Sequence, residues 1–452
     1  MKFSNYIPFY KRNLYLALPV VLSQVGQVTV HLVDNMMVGH VGTPELAAAS
    51  FANNVFMIGM FFGMGITYGL TPLVGNAFSK GKNLEVVVLL KNGIFTHLFA
   101  ALLLTVVMFG IYFLLPLFGQ TPEVLNLARP YFFLLCLSYL PFMLFFSIKQ
   151  FFEGVGNTKI AMQITLLANV INIVINYVLI FGKFGFPEMG LNGAGIGTLV
   201  SRLFLPFLFV LYIVNISKVK KYFTEAHKQL FNKQKILSIL KLGVPIGFQI
   251  IVEVTAFGLG AIMMGWLGET ELAAHQVAIG LASFTYMISL GVSQANTIRV
   301  SHQMGVKDYT SLKMAALAST HLVLAFMLSM GLVFVLARNF LPYLFTTDLA
   351  VVEIAAALLI IAAIFQMFDG LQVIMLSTLR GMEDVKLPMF IAFFAYLLVG
   401  IPTSYLLTFI FGFGPQGIWY GYLVGLGLAG ILFYFRFKYI LKKGMKNGLS
   451  VS

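Results

Sequence analysis

Twelve long apolar stretches, separated by short polar segments, limit what this chain can fold into more than any other feature of its sequence. A helix of about 20 apolar residues is long enough to cross the hydrocarbon core of a bilayer. Because 59% of the residues are hydrophobic and only 10% are charged, the chain cannot form a water-soluble globule. The pattern predicts an all-α membrane protein with transmembrane helices at 14–38, 47–74, 92–116, 129–151, 160–182, 191–215, 238–262, 272–298, 313–337, 350–378, 387–412 and 416–440.

The lysine and arginine residues lie almost entirely on one side of the predicted helices. An even number of helices places both termini on the same side, and Arg129, Lys183 and Arg338 alone fall on the opposite side. Short cytoplasmic loops are enriched in basic residues, so both termini are expected in the cytoplasm. The net charge of +13 then reflects contact with anionic membrane lipid, and no basic stripe with interleaved aromatics indicates a nucleic-acid partner.

The two halves of the chain resemble each other in sequence. The longest polar interruption divides the chain into an amino-terminal lobe at 1–216, a cytoplasmic linker at 217–241 and a carboxyl-terminal lobe at 242–452. Six helices per lobe give both lobes the same orientation, so we expect a pseudo-two-fold axis along the membrane normal and a substrate path between the lobes. The matches, all at one constant shift, are Pro19 with Pro245, Gly39 with Gly265, Leu46-Ala-Ala with Leu272-Ala-Ala and Gly65 with Gly291, and Gly154 matches Gly381 after a one-residue slip.

Three carboxylates, Asp34, Glu253 and Asp369, lie inside predicted transmembrane helices. A charged side chain at the centre of a bilayer costs roughly 2.5 to 3.5 kcal/mol on insertion scales, so such residues usually mark an ion or substrate pathway. Counted from Lys241 and Arg380 at about 1.5 Å per residue, Glu253 and Asp369 lie about 18 and about 16 Å inside the membrane. We therefore expect these two acids to meet, and Asp34 to lie in the other lobe about 10 Å nearer the outside.

Polar side chains accompany each acid at helical spacing, so that each set shares one helix face. The sets are Gln27, His31 and Asp34 on the first helix, Asn169, Asn172 and Asn176 on the fifth, Gln249 and Glu253 on the seventh, and Gln366 and Asp369 on the tenth. We expect Gln27 and the three asparagines to contact substrate near Asp34. The alternative is that the amides hydrogen-bond neighbouring helices and that the acids form a structural pair with a buried cation.

No pattern in the sequence indicates an enzyme. The segment Gly75-Asn-Ala-Phe-Ser-Lys-Gly-Lys has one residue too many between its glycines for a phosphate-binding loop, and Asn83 follows where serine or threonine is needed. The seven histidines form no two-histidine zinc signature, and no serine nucleophile motif accompanies them. We therefore expect no catalytic residues and no cofactor, with an ion gradient as the energy source.

Five features are specific in combination: Val33-Asp-Asn-Met-Met-Val-Gly, Gly154-Val-Gly-Asn-Thr-Lys, Glu253, Leu272-Ala-Ala-His-Gln and Asp369. With them the chain resembles the MATE (multidrug and toxic compound extrusion) family, in its NorM-like branch, over nearly its whole length. The resemblance implies twelve helices in two six-helix lobes that form a V, and export of bulky cationic drugs by antiport with Na⁺ or H⁺. We expect a bacterial inner-membrane protein that acts as a monomer.

The resemblance also implies roles for individual residues. Glu253 and Asp369 match the acids associated with the coupling cation, and Tyr286 matches an aromatic residue that assists them. The positions that match drug contacts are Asp34, Gln276 and Asp348. The face of an aromatic ring attracts a bare cation, so Tyr286 favours Na⁺ as the coupling ion. Buried carboxylates that titrate near neutrality would serve H⁺ equally well.

Two alternative functions are compatible with parts of this pattern. A flippase for lipid-linked saccharides would belong to the same wider superfamily, but an anionic pyrophosphate substrate requires arginine or lysine inside the cavity. Arg202, within the sixth predicted helix, is the one candidate. A membrane-embedded enzyme or receptor is the second alternative, and the internal repeat and the missing catalytic pattern argue against it.

Overall fold

The computed structural model describes residues 3–449, except for the side chains of residues 3, 4, 217–219 and 447–449. The predicted outer limits of the two lobes, at 1 and 452, lie outside the described residues. The α-helices are α1 (Ile7–Gly39), α2 (Thr43–Tyr68), α3 (Leu70–Ser79), α4 (Asn83–Leu114), α5 (Pro122–Gly154), α6 (Thr158–Ile180), α7 (Gly190–Asn215), α8 (Ser217–Lys228), α9 (Lys233–Leu267), α10 (Glu269–Gly305), α11 (Tyr309–Leu336), α12 (Leu349–Gly381), α13 (Lys386–Ala392), α14 (Ile401–Tyr405) and α15 (Pro415–Leu449). Short 3₁₀ segments occur at Phe3–Tyr6, Leu115–Phe118 and Leu341–Leu344, and π-helical segments at Phe393–Gly400 and Leu406–Ile410.

Twelve helical stretches in the described part of the chain are long and apolar enough to cross a membrane, which confirms the predicted all-α class and number of spans. α2 and α3 together form the second span, and α13, α14 and the two π-helical segments form the eleventh. Several helices are longer than the apolar pattern predicts; α10, for example, covers Glu269–Gly305 instead of 272–298. The helices extend because their ends lie beyond the hydrocarbon core, where residues need not be apolar.

The polar segment expected as a linker, 217–241, is mostly helical. α8 ends at Lys228 and α9 begins at Lys233. Phe223 of α8 packs against Phe151 and Phe152 of α5, with ring centroids 5.9 and 6.4 Å apart. One face of α8 therefore covers the hydrophobic core around α5, while Lys220, Lys221 and Lys228 are exposed.

The chain divides into two compact units, and neither coincides with one half of the sequence. Unit N consists of Leu22–Gly247, and unit C consists of the residues up to Val21 together with those from Phe248 onward. The boundaries fall inside α1 and α9, at positions that the internal repeat relates to each other. These units are defined by their contacts, so the division into repeats at 217–241 stays a prediction.

The first part of α1 is held in unit C by buried polar contacts. The amide Nδ2 of Asn13 donates to Ser319 Oγ at 2.8 Å and to the Ala315 carbonyl at 2.9 Å. Its Oδ1 accepts from Arg299 Nε at 3.2 Å. Since Asn13 is completely buried, these bonds replace all the hydration of its side chain.

The first part of α9 is held in unit N by a close helix contact and an ion pair. A Cβ added to Gly69, between α2 and α3, would lie 2.6 Å from the backbone nitrogen of Gly243, so both positions require glycine for this approach. Lys235 at the start of α9 pairs with Glu85 of α4. Nearly half of α1 and of α9, on the side predicted to be cytoplasmic, therefore belongs to a different unit from the rest of each helix.

The internal repeat is visible in the packing as well as in the sequence. A Cβ added to Gly154, at the end of α5, would lie 2.7 Å from the side chain of Val74. A Cβ added to Gly381, at the end of α12, would lie 2.7 Å from the side chain of Val300, which is the repeat equivalent of Val74. The same glycine–valine contact thus closes the fourth span of each half onto its second.

The turns of the two halves adopt the same backbone conformation with different residues. Gly81 has a φ of 70°, and Lys307, its equivalent in the second half, has a φ of 59°. Gly156 has a φ of 84°, and Glu383, at the matching position after the one-residue slip, has a φ of 62°. The second half therefore places residues with side chains in a left-handed conformation that favours glycine.

Replacing Lys307 by glycine should stabilise the protein by about 0.5 kcal/mol. The left-handed conformation costs an L-residue about 1 to 2 kcal/mol, and the greater chain entropy of unfolded glycine offsets part of that gain. Gly81→Ala is the matched control and should lower the unfolding temperature, since no atom outside its own turn lies within 4 Å of an added Cβ and backbone strain is the sole change. Thermal unfolding in detergent measures both, and a Lys307→Gly protein that melts at a lower temperature than the wild type would contradict the strain argument.

Candidate functional site

Asp34 lies in unit N and faces the asparagines of α6. Its Oδ1 accepts a hydrogen bond of 2.6 Å from Asn176 Nδ2. With the Asn172 amide oriented so that its nitrogen faces Asp34, that nitrogen donates to the carboxylate at 3.2 Å while its oxygen accepts from Ser201 Oγ at 3.1 Å. The structure therefore brings Asp34 together with two of the three asparagines singled out in the sequence.

The remaining polar residues of this stripe lie further along the same helices. Asn169 of α6 lies close to Gly26 of α1. A Cβ added to Gly26 would lie 3.0 Å from the Nδ2 atom of Asn169. That Nδ2 is buried and has no hydrogen-bond partner among the described atoms. Gln27 is half-buried and His31 is exposed. The two polar stripes thus run side by side and leave one buried amide donor that an acceptor on a ligand would satisfy.

Arg202 lies in the same unit and is held by aromatic residues. Its Nη1 donates to Ser138 Oγ at 2.7 Å, and its guanidinium carbon lies 4.6 Å from the ring centroid of Phe142 and 5.4 Å from that of Phe56. The guanidinium charge is close enough to attract Asp34. Stacking and hydrogen bonding fix Arg202 among these side chains, which is the usual way a buried guanidinium is accommodated.

Glu253 and Asp369 lie in unit C, on α9 and α12. Glu253 accepts hydrogen bonds from Gln249 Nε2 at 3.1 Å and from the Tyr286 hydroxyl at 3.5 Å. Asp369 is buried and accepts from Gln372 Nε2 at 3.2 Å. The Gln372 side chain also lies close to Glu253. The two acids that were expected at equal depth are therefore neighbours, with Gln372 bonded to Asp369.

Two members of this network escape sequence reasoning. Gln372 Oε1 accepts a hydrogen bond of 2.9 Å from the hydroxyl of Tyr396, which lies in the π-helical segment Phe393–Gly400. The position of Gln372, three residues after Asp369 on the same helix face, is a signal that could have identified it. Gln366 lies about one turn before Asp369 on α12. Its Oε1 accepts a hydrogen bond of 3.1 Å from Thr285 Oγ1 of α10.

A small cavity of about 20 Å³ lies beside Glu253. Its wall includes the aromatic rings of Phe257, Tyr396 and Tyr422 together with Gly400, Gly421 and Gly425. About 10 to 15 Å³ of such space accommodates one water-sized occupant. The cavity therefore has room for one small occupant beside Glu253, and it is too small for a bulky drug.

Gln276 and Asp348, which were expected at drug contacts, both have exposed side chains. Gln276 is exposed on α10. Asp348 is exposed and caps α12, because its Oδ1 accepts a hydrogen bond of 2.9 Å from the Ala350 backbone nitrogen. The structure thus gives Asp348 a role at a helix terminus, and contact of either residue with a drug stays a prediction.

The oxygen atoms around Glu253 and Asp369 fit a hard monovalent cation. Across residues 3–449, no three histidine, cysteine, aspartate or glutamate side chains are grouped so that they could hold a metal ion. Carboxylate, amide and hydroxyl oxygens are the ligands that hard cations accept. Glu253, Asp369, Gln372 and Tyr286 supply all three kinds, and the carboxylates could alternatively take up protons.

Comparison with known proteins places this geometry in context. The family model described as MatE matches residues 19–178 and 245–406, two segments that begin at the equivalent prolines of the internal repeat. A probable multidrug resistance protein NorM of Agrobacterium fabrum is 32% identical over 448 residues, covering 98% of this chain and 96% of that protein. A probable multidrug resistance protein NorM of Rhizobium meliloti is 32% identical over 439 residues, covering 96% and 94%. Among solved structures, the eukaryotic MATE transporter AtDTX14 has a TM-score of 0.86 at 22% identity, covering 98% of this chain and 99% of that chain.

Gln372→Leu should destabilise unit C by about 2 kcal/mol, because it leaves the buried Asp369 carboxylate and the Tyr396 hydroxyl without partners. Tyr396→Phe removes only the hydroxyl donor and should cost about 1 kcal/mol. Thermal unfolding of the purified variants measures the difference. Equal unfolding temperatures for the two variants would mean that Gln372 does not support Asp369.

Proposed function

The chain belongs to the MATE family, and on that premise we propose that it is a multidrug efflux transporter that exports organic cations by antiport with Na⁺ or H⁺. Relatives named NorM multidrug resistance proteins support the multidrug part of this proposal. The ion-coupled part depends on one observation, which is that Glu253 and Asp369 lie close to each other and to Gln372 inside transmembrane helices. Carboxylates inside a membrane protein usually mark the path of an ion or a substrate.

In this proposal the coupling cation binds at Glu253 and Asp369. Two ionised carboxylates that lie close together repel each other, and a bound Na⁺ or proton reduces that repulsion. Tyr286 contacts Glu253 through its hydroxyl, and its ring adds an attraction for a bare cation of roughly 0.5 to 2 kcal/mol. This attraction favours Na⁺, since a proton on a carboxyl group is already held covalently.

The drug binds, in this proposal, at Asp34 in unit N. Its carboxylate attracts the positive charge of the drug, while Gln27, Asn169, Asn172 and Asn176 offer amide groups along the same two helices. Gln276 and Asp348 contribute further contacts. Antiport then requires that the coupling cation bind the two conformations of the protein with different affinity, so that its entry favours the conformation in which the drug site is weak.

The same proposal includes the orientation of the protein in the membrane and its oligomeric state. Both termini lie in the cytoplasm of a bacterial cell, the single chain is the transporting unit, and no catalysis or cofactor is involved. The geometry of Arg202 argues against export of a lipid-linked pyrophosphate, because its guanidinium is engaged by Ser138 and stacked on Phe142. A pyrophosphate would need such a cation to be accessible.

Glu253→Gln and Asp369→Asn should each reduce ion-driven dye export roughly tenfold or more, because either change removes half of the charge that holds the coupling cation. Asp34→Asn should reduce dye export by a similar factor while the purified protein still binds Na⁺. Efflux of a fluorescent cationic dye, measured in cells that lack their own exporters, reports transport. Binding of radioactive Na⁺ to purified protein reports the ion site.

These variants control for one another, since all three replace a carboxylate by its isosteric amide. Membrane insertion of each is verified by the amount of purified protein and its unfolding temperature. Full dye efflux by Glu253→Gln or Asp369→Asn would remove the pair from the mechanism. Loss of Na⁺ binding in Asp34→Asn, with Glu253 intact, would move the ion site to unit N.

An imposed Na⁺ gradient at equal pH should drive dye movement in vesicles, and a pH gradient without Na⁺ should drive it several-fold more slowly. The physical reason is the attraction of the Tyr286 ring for a bare cation. Tyr286→Leu should weaken the Na⁺-driven rate more than Tyr286→Phe, which keeps the ring. Transport driven by the pH gradient alone would overturn the Na⁺ assignment and leave H⁺ as the coupling ion.

A further inference from the structure

Arg380 lies in the last turn of α12, and its guanidinium reaches toward the carboxylate pair. Its Nη2 donates a hydrogen bond to Gln249 Oε1. The Nε2 of the same amide donates to Glu253 Oε2 at 3.1 Å. Gln249 therefore connects a guanidinium to one of the two acids, with its oxygen facing the cation and its nitrogen facing the anion.

The sequence alone suggests a different role for Arg380. A basic residue at the end of a span usually extends its side chain away from the apolar core, toward lipid headgroups and water. Arg380 is half-buried, and its charge is close enough to attract Glu253. A positive charge at this point lowers the negative potential that the acid pair offers to any other cation.

The internal repeat shows that the fold does not require a cation at this position. Gly381 and Gly154 make the same contact with Val300 and Val74, so the residues that precede them are structurally equivalent. The residue before Gly154 is Glu153, a buried acid that pairs with Lys149 of its own helix at 3.7 Å. This position in the fold therefore accepts either a negative or a positive side chain. The positive one, Arg380, occurs in the half of the chain that contains Glu253 and Asp369.

We propose that Arg380 is a tethered competitor of Na⁺ at the Glu253 and Asp369 pair. With the site empty, its guanidinium shares the charge of Glu253 through Gln249. When Na⁺ binds, that electrostatic interaction is opposed by the ion, so the site holds Na⁺ less tightly than the two carboxylates alone would. A transport site must bind its ion strongly enough to capture it and weakly enough to release it, and Arg380 sets this balance. The inference rests on the proposed antiport mechanism.

Removing the charge of Arg380 should therefore raise the affinity for Na⁺, which is the reverse of what a supporting residue would do. Arg380→Gln and Arg380→Met should bind Na⁺ about tenfold more tightly than the wild type. A change of this size is expected when one nearby unit charge is removed in a medium of intermediate dielectric. Arg380→Lys keeps the charge and should stay within about threefold of the wild type. Lys386→Gln removes an exposed charge at the start of α13 and should leave the affinity unchanged.

The measurement is binding of radioactive Na⁺ to purified protein in lipid nanodiscs at constant ionic strength. Fluorescence gives a second readout in a Trp266→Phe background, where Trp419 is the remaining tryptophan. Its ring lies 6.1 Å from that of Tyr422, which lines the cavity beside Glu253. The unfolding temperature verifies that each variant is folded, and the methionine variant serves if the glutamine variant is not.

The outcomes separate this inference from the proposed function. Tighter Na⁺ binding by Arg380→Gln or Arg380→Met, with slower Na⁺-driven dye export, is the expected result. Unchanged or weaker binding in those variants, with binding lost in Glu253→Gln, would overturn the competitor role and leave the proposed ion site in place. Absence of Na⁺ binding by the wild type and by Arg380→Gln alike would overturn the Na⁺ assignment and this inference with it.

Discussion

An ionised carboxylate inside a bilayer must be satisfied by hydrogen-bond donors or by a cation, and this requirement shapes both polar regions of the molecule. In unit N the donors to Asp34 are the amides of Asn172 and Asn176. In unit C the amide of Gln249 and the hydroxyl of Tyr286 serve Glu253, while Gln372 serves Asp369. These hydrogen bonds come from neutral donors, which do not cancel the carboxylate charges, although the guanidinium groups of Arg202 and Arg380 also attract Asp34 and Glu253. The charge that remains is available to a mobile cation.

The two repeats share their scaffold and differ in their chemistry. Glycine contacts fix the ends of α5 and α12 against valines at equivalent positions, and both halves use left-handed turns at Gly81 and Lys307. At positions outside these contacts, equivalent side chains of the two repeats differ in charge. Glu153 occupies the place of Arg380, and Gln27 that of Glu253. Backbone packing therefore preserves the fold, while charge can be added, removed or reversed without disturbing it.

The sequence predicts the transmembrane spans well and the hydrogen-bond network around the acids poorly, for identifiable reasons. Apolar length is a strong signal because each span must match the same bilayer thickness, and a carboxylate within it is rare. The helical rise per residue was sufficient to expect Glu253 and Asp369 close together, and the structure places them near each other.

Tyr396 and Arg380 could not be assigned in the same way. Tyrosine is common in membrane helices, and the π-helical segment that carries Tyr396 has no simple sequence signature. The direction of a long side chain at the end of a span depends on its neighbours, so Arg380 read as a cytoplasmic anchor although it bonds inward to Gln249. Helix ends were also underestimated, since polar residues continue α9 and α10 beyond the apolar core.

The exchange of helix ends between the two units has a consequence for how such a chain is built. Unit C includes the residues up to Val21, and unit N includes α9 as far as Gly247, so each takes a segment encoded by the other half. The polypeptide is in effect an intramolecular domain swap, with Asn13 and Lys235 among the residues that anchor the swapped ends. A half-length chain cut in the 217–241 segment would expose an unfilled groove and present an unattached helix end. Two copies of one ancestral half could have satisfied both needs by exchanging those ends, and fusion into a single chain would then have preserved the exchange.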